Sequence, residues 1–396
     1  MFVVLSAYFS QCVRVCLLCL CLFVCPSSSA WAGQTVGKPT HRAQAPKETA
    51  AAPLMRGLRA TFWGRLFAGY HISMLGEQDF QEFVMRELQL AVMVDWKDQV
   101  GVVARMEVLR SAQPQSLFGI DGDAYVVRLL QAWAFGRLTF GVFEGELRLG
   151  LIKDPWIDLL EVGYVLRDLE PMQSQQGEFF FPSDLGASAL LRLWGGMVEF
   201  RYTLTNGEGT NRAEQNSGKN TTLTLSLRAP SFRLLGRKAV IGLHGLYRDG
   251  SQGAARIANH RVAAALTFGM RGYSAGVEFV NATGYRGDGD ISADGLSAWL
   301  SADVWLDKIG VLARFDRLNS NQSVDNAVQQ TITAGLYVNA LEPLLGAMFR
   351  RFRLYLYYQN ITQEENSAPL PGVPAAVSGH RVMLQLAIRT HLSLSR

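Results

Sequence analysis

From Phe62 onward the chain alternates apolar and polar residues in runs separated by turns and polar loops. The last fifty residues show the pattern plainly. Phe352, Leu354, Leu356 and Tyr358 interleave with Arg351, Arg353, Tyr355, Tyr357 and Gln359. Val382, Leu384, Leu386, Ile388, Leu392 and Leu394 interleave with Met383, Gln385, Arg389, His391 and Ser393. A period of two is that of a β-strand, whose successive side chains leave opposite faces. These runs are longer than the roughly five or six residues of an ordinary globular strand. The pattern predicts about sixteen strands, near 62–71, 83–96, 99–110, 123–135, 138–152, 185–194, 197–205, 220–229, 238–248, 260–269, 273–283, 295–306, 309–318, 327–339, 349–361 and 380–394.

The connections have a rhythm. Tight turns at Lys97-Asp98, Gly136-Arg137, Gly195-Gly196, Arg271-Gly272 and Asp307-Lys308, with somewhat longer ones at 230–237 and 341–348, alternate with polar loops at 72–82, 111–122, 153–184, 206–219, 249–259, 284–294, 319–326 and 362–379. Short turns on one rim and long loops on the other are the mark of an antiparallel transmembrane β-barrel, with both chain ends on the short-turn side. The fold class expected is therefore all-β, a barrel of about sixteen strands. Leu296, Ala298, Leu300, Ala302, Val304 and Leu306 would face lipid, and Ser297, Trp299, Ser301, Asp303, Trp305 and Asp307 the lumen. In the next hairpin Val328, Ile332, Ala334, Leu336 and Val338 oppose Gln329, Thr331, Thr333, Tyr337 and Asn339. Parity alone does not say which set is inside; a soluble exported barrel would alternate too, the other way round. The phase slips at Phe143-Glu144-Gly145-Glu146 and at Leu130-Gln131, where bulges are expected. Trp63, Tyr70, Trp96, Trp133, Trp194 and Tyr273, near strand ends, suit interfacial girdles.

The first residues supply the compartment. All five cysteines (Cys12, Cys16, Cys19, Cys21, Cys25) sit beside Arg14 and an apolar run to Val24, and Ala30-Trp31-Ala32 makes an Ala-x-Ala cleavage site. Residues 1–32 read as a secretory signal peptide, with lipidation at Cys25 as the rival reading. Beyond them no cysteine remains for disulfides or thiolate metal sites. Residues 33–60 form an Ala-, Pro- and Lys/Arg-rich stretch unable to bury a core, read as a flexible periplasmic arm, and 61–396 is the barrel. The formal charge of +4 falls to +3 without Arg14; the arm carries five cations and Glu48, or +4, which leaves the barrel at −1.

The longest loop, the third outer one at 153–184, carries Asp154, Asp158, Glu161, Asp168, Glu170, Glu178 and Asp184 against Lys153 and Arg167. It also carries Trp156, Ile157, Leu159, Leu160, Val162, Tyr164 and Phe179 to Phe181. An exposed loop rarely keeps so many large apolar groups, so infolding as a constriction is favoured over a solvated acidic loop binding cations among lipopolysaccharides. Trp156-Ile157-Asp158, Phe181-Pro182-Ser183-Asp184-Leu185-Gly186-Ala187-Ser188, Val198-Glu199-Phe200-Arg201-Tyr202 and Thr205-Asn206-Gly207-Glu208-Gly209 resemble the phosphate-selective porin O and P family over about 155–209. The resemblance implies an outer-membrane, sixteen-stranded porin, usually a homotrimer, with the third loop narrowing the pore. The sequence departs from that family in lacking its lysine cluster, since the outer loops hold only Lys153 and Lys219. It also lacks a terminal aromatic, closing on His391-Leu392-Ser393-Leu394-Ser395-Arg396.

The phasing places Arg65, Arg105, Arg128, Arg148, Arg192, Arg201, Arg228, Arg261, Arg314, Arg351, Arg353 and Arg389 on the pore-lining wall, with Glu87, Asp95, Glu107, Glu199, Glu278, Asp303 and Asp316. An acidic loop facing this wall would set a transverse field across the lumen. The function expected is passive diffusion of small hydrophilic solutes and ions with a slight anion bias; a phosphate- or anion-selective channel, or a barrel-type surface enzyme or adhesin, are the alternatives. Outer-membrane lipid and lipopolysaccharide are the surroundings expected, with no nucleic-acid partner. The six histidines show no His-Glu-x-x-His spacing and there is no Gly-x-Ser-x-Gly elbow, so no metal, cofactor or catalytic set is expected.

Overall fold

The computed structural model describes residues 57–75, 78–111, 124–209, 217–305, 308–339, 349–367 and 378–395; the expected signal peptide and almost all of the expected arm lie outside them. Sixteen strands make one wall: β1 Leu58–Leu75, β2 Gln78–Trp96, β3 Val100–Ser111, β4 Ala124–Phe140, β5 Phe143–Lys153, β6 Ser183–Leu193, β7 Val198–Thr205 and β8 Asn220–Arg228. The second half is β9 Arg237–Asp249, β10 His260–Met270, β11 Tyr273–Thr283, β12 Ser292–Trp305, β13 Ile309–Asn319, β14 Val328–Val338, β15 Phe349–Gln363 and β16 Gly379–Ser395. Each pairs antiparallel with its sequence neighbours, and β1 pairs with β16 from Arg59↔Ser395 to Leu75↔Gly379, so the sheet closes on itself. Closure leaves no row of unpaired backbone groups at an edge.

The tertiary structure assigns the faces. Ser297, Trp299, Ser301, Gln329, Thr331, Thr333, Tyr355, Tyr357, Gln359 and Gln385 are buried, whereas Leu300, Ile332, Leu336, Leu354, Leu356 and Leu384 are exposed. The polar set lies inside and the apolar set covers the outside.

Five local readings are corrected. Within 72–82, residues 72–75 and 78–82 are strand rather than loop, because β1 and β2 continue as a ribbon. Its cross-strand contacts are His71–Glu82 at 3.3 Å and Tyr70 Oη donating to Gln81 at 2.6 Å. The expected turn at Gly136-Arg137 lies instead at Gly141-Val142, since Arg137 pairs with Glu146 across β4 and β5 and carries the ladder on to Phe140↔Phe143. The slip at 143–146 is regular strand with Glu144 and Glu146 on the inner face, whereas Leu130 is an extra residue opposite Arg105/Met106, a true bulge. A further bulge at Val304 sets Trp305 opposite Ile309, so Trp305 is exposed rather than in the lumen. The girdle reading also fails at Trp63 and Trp133: they lie under inward guanidiniums, 5.8 Å from that of Arg105 and 4.7 Å from that of Arg148.

Candidate functional site

The third outer loop enters the barrel, and its sequence explains how. The Asp154 carboxylate accepts from the Trp156 amide at 2.9 Å and Pro155 opens the first turn, so helix α1, Pro155–Glu161, starts as soon as β5 ends. A 3₁₀ turn at Val165–Asp168 and a short helix α2, Gln173–Gln176, follow before β6. Trp156, Ile157, Leu160, Leu166, Met172, Phe179 and Phe180 are almost wholly buried. They pack with Tyr285, Trp299, Tyr337, Tyr355 and Tyr357 into one cluster inside the barrel. At about 1.5–3 kcal/mol for each large side chain, this burial is the main force drawing the loop inward.

Polar contacts then fasten it around the wall. Asp154 meets Arg248 of β9 at 2.5 Å, and Trp156 Nε1 donates to Glu278 of β11 at 2.6 Å. Asp158 bridges Arg148 at 2.9 Å, Arg201 at 2.8 Å and Lys153 at 3.5 Å. Glu161 takes Lys153, Arg65 at 3.4 Å and Arg167 at 3.1 Å. Arg167 also reaches Glu87 of β2 at 2.7 Å. Asp168, fully buried, accepts from Arg389 of β16 and, at 3.0 Å, from the Tyr355 hydroxyl of β15. Glu170 pairs with Arg86 at 2.7 Å. Arg314 of β13 donates to the Pro171 carbonyl at 2.7 Å and to Gln176 at 3.2 Å. Glu178 stands apart, half-exposed and paired with Arg286 at 2.8 Å. The loop starts between β5 and β6 and reaches the seam where β16 meets β1.

Burial alone would raise Asp158, Glu161 and Glu170, but the cations outweigh it. Arg201, Lys153 and Arg148 hold Asp158 well below the usual carboxylate range; Lys153, Arg65, Arg167 and Arg105 do the same for Glu161. Arg86, with Arg314 and Arg381, lowers Glu170. The carboxylates and the wall arginines are therefore in direct contact rather than facing one another across open lumen, and each pair cancels most of its own field at contact distance.

The wall arginines differ in what they hold; Arg228 reaches Glu199 at 3.8 Å. Arg65, Arg148, Arg201, Arg314 and Arg389 hold the loop by the contacts above. Arg128 pairs with Glu107, and Arg192 with Glu144 and Glu199, while Arg353 donates to Asn339 at 2.6 Å. Arg261 donates to the Thr283 and Phe179 carbonyls, tying strand to loop. Arg105 has no ion pair among the described residues, and the side chain of Arg351 lies outside them. Arg86 is absent from the sequence-derived wall. A bulge between Phe67 and Ala68 leaves Arg86 without a strand partner, so Arg86 and Glu87 both turn inward. Two adjacent charges in an alternating strand were the available signal. Of the six histidines, His260 pairs with Asp249 at 2.7 Å and His380 stacks on Tyr358.

On the short-turn side of α1 a cavity of about 710 Å³ lies between the loop and the inner face of β5–β10. Its cationic lining comprises Arg148, Arg192, Arg201, Arg228, Lys238 and Arg271, and its acidic lining Asp158 and Glu199.

No family model and no curated protein matches the chain, so the likeness over 155–209 rests on those residues alone. Solved structures share its fold. The anion-selective porin from Comamonas acidovorans is 14% identical with a TM-score of 0.54, covering 85% of this chain and 100% of its own. OmpF of Salmonella typhi, in complex with daunomycin, is 10% identical with a TM-score of 0.56, covering 84% of this chain and 98% of its own. The chain has the fold of these porins, a closed barrel of sixteen antiparallel strands.

Proposed function

We propose that the chain is an outer-membrane pore for passive diffusion of small hydrophilic solutes and ions, with a slight preference for anions. The observation that carries this reading is the closed barrel itself, polar inside and apolar outside, with its longest loop folded inward. The cationic excess of the cavity beside α1 supports the anion bias. Phosphate specificity gains no support from the outer-loop lysines, because Lys153 is held by Asp158 and Glu161. In this reading the short-turn rim faces the periplasm, lipid and lipopolysaccharide surround the wall, the working unit is a homotrimer, and no catalysis or cofactor is involved.

Single-channel recording in a planar bilayer under a chloride gradient tests it. Stepwise conductance with a reversal potential of the anion-selective sign is the expected result. Folded protein that gives no steps overturns the pore, and a reversal potential of the opposite sign overturns the anion bias.

A further inference from the structure

The cavity beside α1 has a composition that the diffusion of inorganic ions does not require. Glu199 is one carboxylate among three guanidiniums, with Arg192 at 3.1 Å, Arg201 at 3.5 Å and Arg228 at 3.8 Å. Arg192 is also held by Glu144 and Arg201 by Asp158, which leaves Arg228, with only its 3.8 Å contact to Glu199, as the least neutralised of the three. Lys238, exposed on the same lining, makes no ion pair among the described residues. The same lining also carries apolar side chains, Leu159, Leu160 and Val162 from the loop and Val240 from β9. Val162, at the end of α1, is 82% exposed although the loop around it is buried, and it faces the same space as Val240. A large aliphatic side chain left bare inside a polar barrel is surface that a ligand can cover. The volume falls within the roughly 300–1,000 Å³ of small-molecule sites, and an apolar lining with a few convergent charges is their usual composition.

We propose that this cavity is a binding subsite for small organic monoanions with an aliphatic body. The anionic head sits among Arg228, Lys238 and the outer side of the Glu199 cluster, and the hydrocarbon lies on Val162 and Val240. This deepens the diffusion-pore reading and rests on it. Inorganic anions satisfy the charged half alone. The apolar half is what sets the class.

The test is titration calorimetry on the full folded chain in lipid nanodiscs, with hexanoate, its uncharged analogue hexanamide, and inorganic phosphate as probes. Hexanoate should bind saturably, and hexanamide about tenfold more weakly or not at all, since it forms no charge-assisted hydrogen bond. Val162→Ser, at a position already exposed, should weaken hexanoate roughly three- to tenfold through lost apolar contact and leave phosphate unchanged. Lys238→Gln should weaken both anions. Phosphate binding as tightly as hexanoate, with Val162→Ser without effect, or no saturable heat from hexanoate, overturns the proposal. Bilayer recording on the same preparation separates the two readings. Chloride steps without hexanoate binding sink the subsite and leave the pore, whereas hexanoate binding without steps sinks the pore.

Discussion

Asp168→Ala should free the far end of the inward loop while leaving the barrel intact. The carboxylate is completely buried and holds together three elements: Arg389 of β16 at its Oδ1, Tyr355 of β15 at its Oδ2, and the 3₁₀ turn that carries it. The truncation leaves a guanidinium and a phenol without their acceptor. Losing one partner of a buried pair costs about 3–5 kcal/mol, but the Arg389 side chain is 32% exposed, so water recovers part of it and about 2–3 kcal/mol is expected. The amides of Leu169 and Glu170, both bonded to the Leu166 carbonyl, report on this turn. Hydrogen exchange there should accelerate roughly 30- to 150-fold, at 1.4 kcal/mol per decade, with strand amides of β7 and β8 unchanged. Asp168→Asn, which keeps an acceptor for Tyr355, should fall between. An acceleration below about threefold in the alanine variant would show that the apolar cluster holds the loop and the ion pair does not.

Deleting 156–182 should raise single-channel conductance severalfold; unchanged conductance would place the loop outside the conducting path. Arg86→Ala, which removes the Glu170 pair and the donors to Tyr357 and Gln385, should also speed exchange at Leu169 and Glu170 by roughly an order of magnitude, at about 1.5–3 kcal/mol for a charged hydrogen bond discounted for its partial exposure. Because Asp158 and Glu161 have depressed folded-state pKa values, their contribution is complete above the ordinary values of 3.8 and 4.5 and fades as pH falls through the lower folded values. Loop exchange corrected for intrinsic rate should therefore be flat from pH 8 to about 5 and rise only in stronger acid; a rise near pH 6 would contradict this. Gly310→Ala places a methyl group on the Tyr337 ring and should lower the unfolding midpoint of the barrel in detergent, for an overpacking cost of about 1–3 kcal/mol. An unchanged midpoint would mean that the ring moves aside freely.

Most of the wall was legible in the sequence, because a strand's period of two appears in the order of residues and needs no partner to be seen. All sixteen strands lie where the alternation put them, with their ends shifted. The loop was legible as an inward element from its apolar content, and Trp156, Ile157 and Phe180 are in its core. Its connections were not. Asp168 and Arg389 are 221 residues apart, and nothing local to either marks the other. Bulges were half legible: Leu130 announced itself by a slip in phase and Arg86 only by its charged neighbour Glu87, whereas the bulge at Val304 turned Trp305 outward with no such mark. What the sequence alone determined was the alternation, the strand count and the long-short order of connections. Only the closed sheet decided which set of side chains is enclosed, because an alternating strand is the same pattern seen from either face. It also decided which charges meet, because the loop's path across the lumen is set by packing against strands remote in the chain.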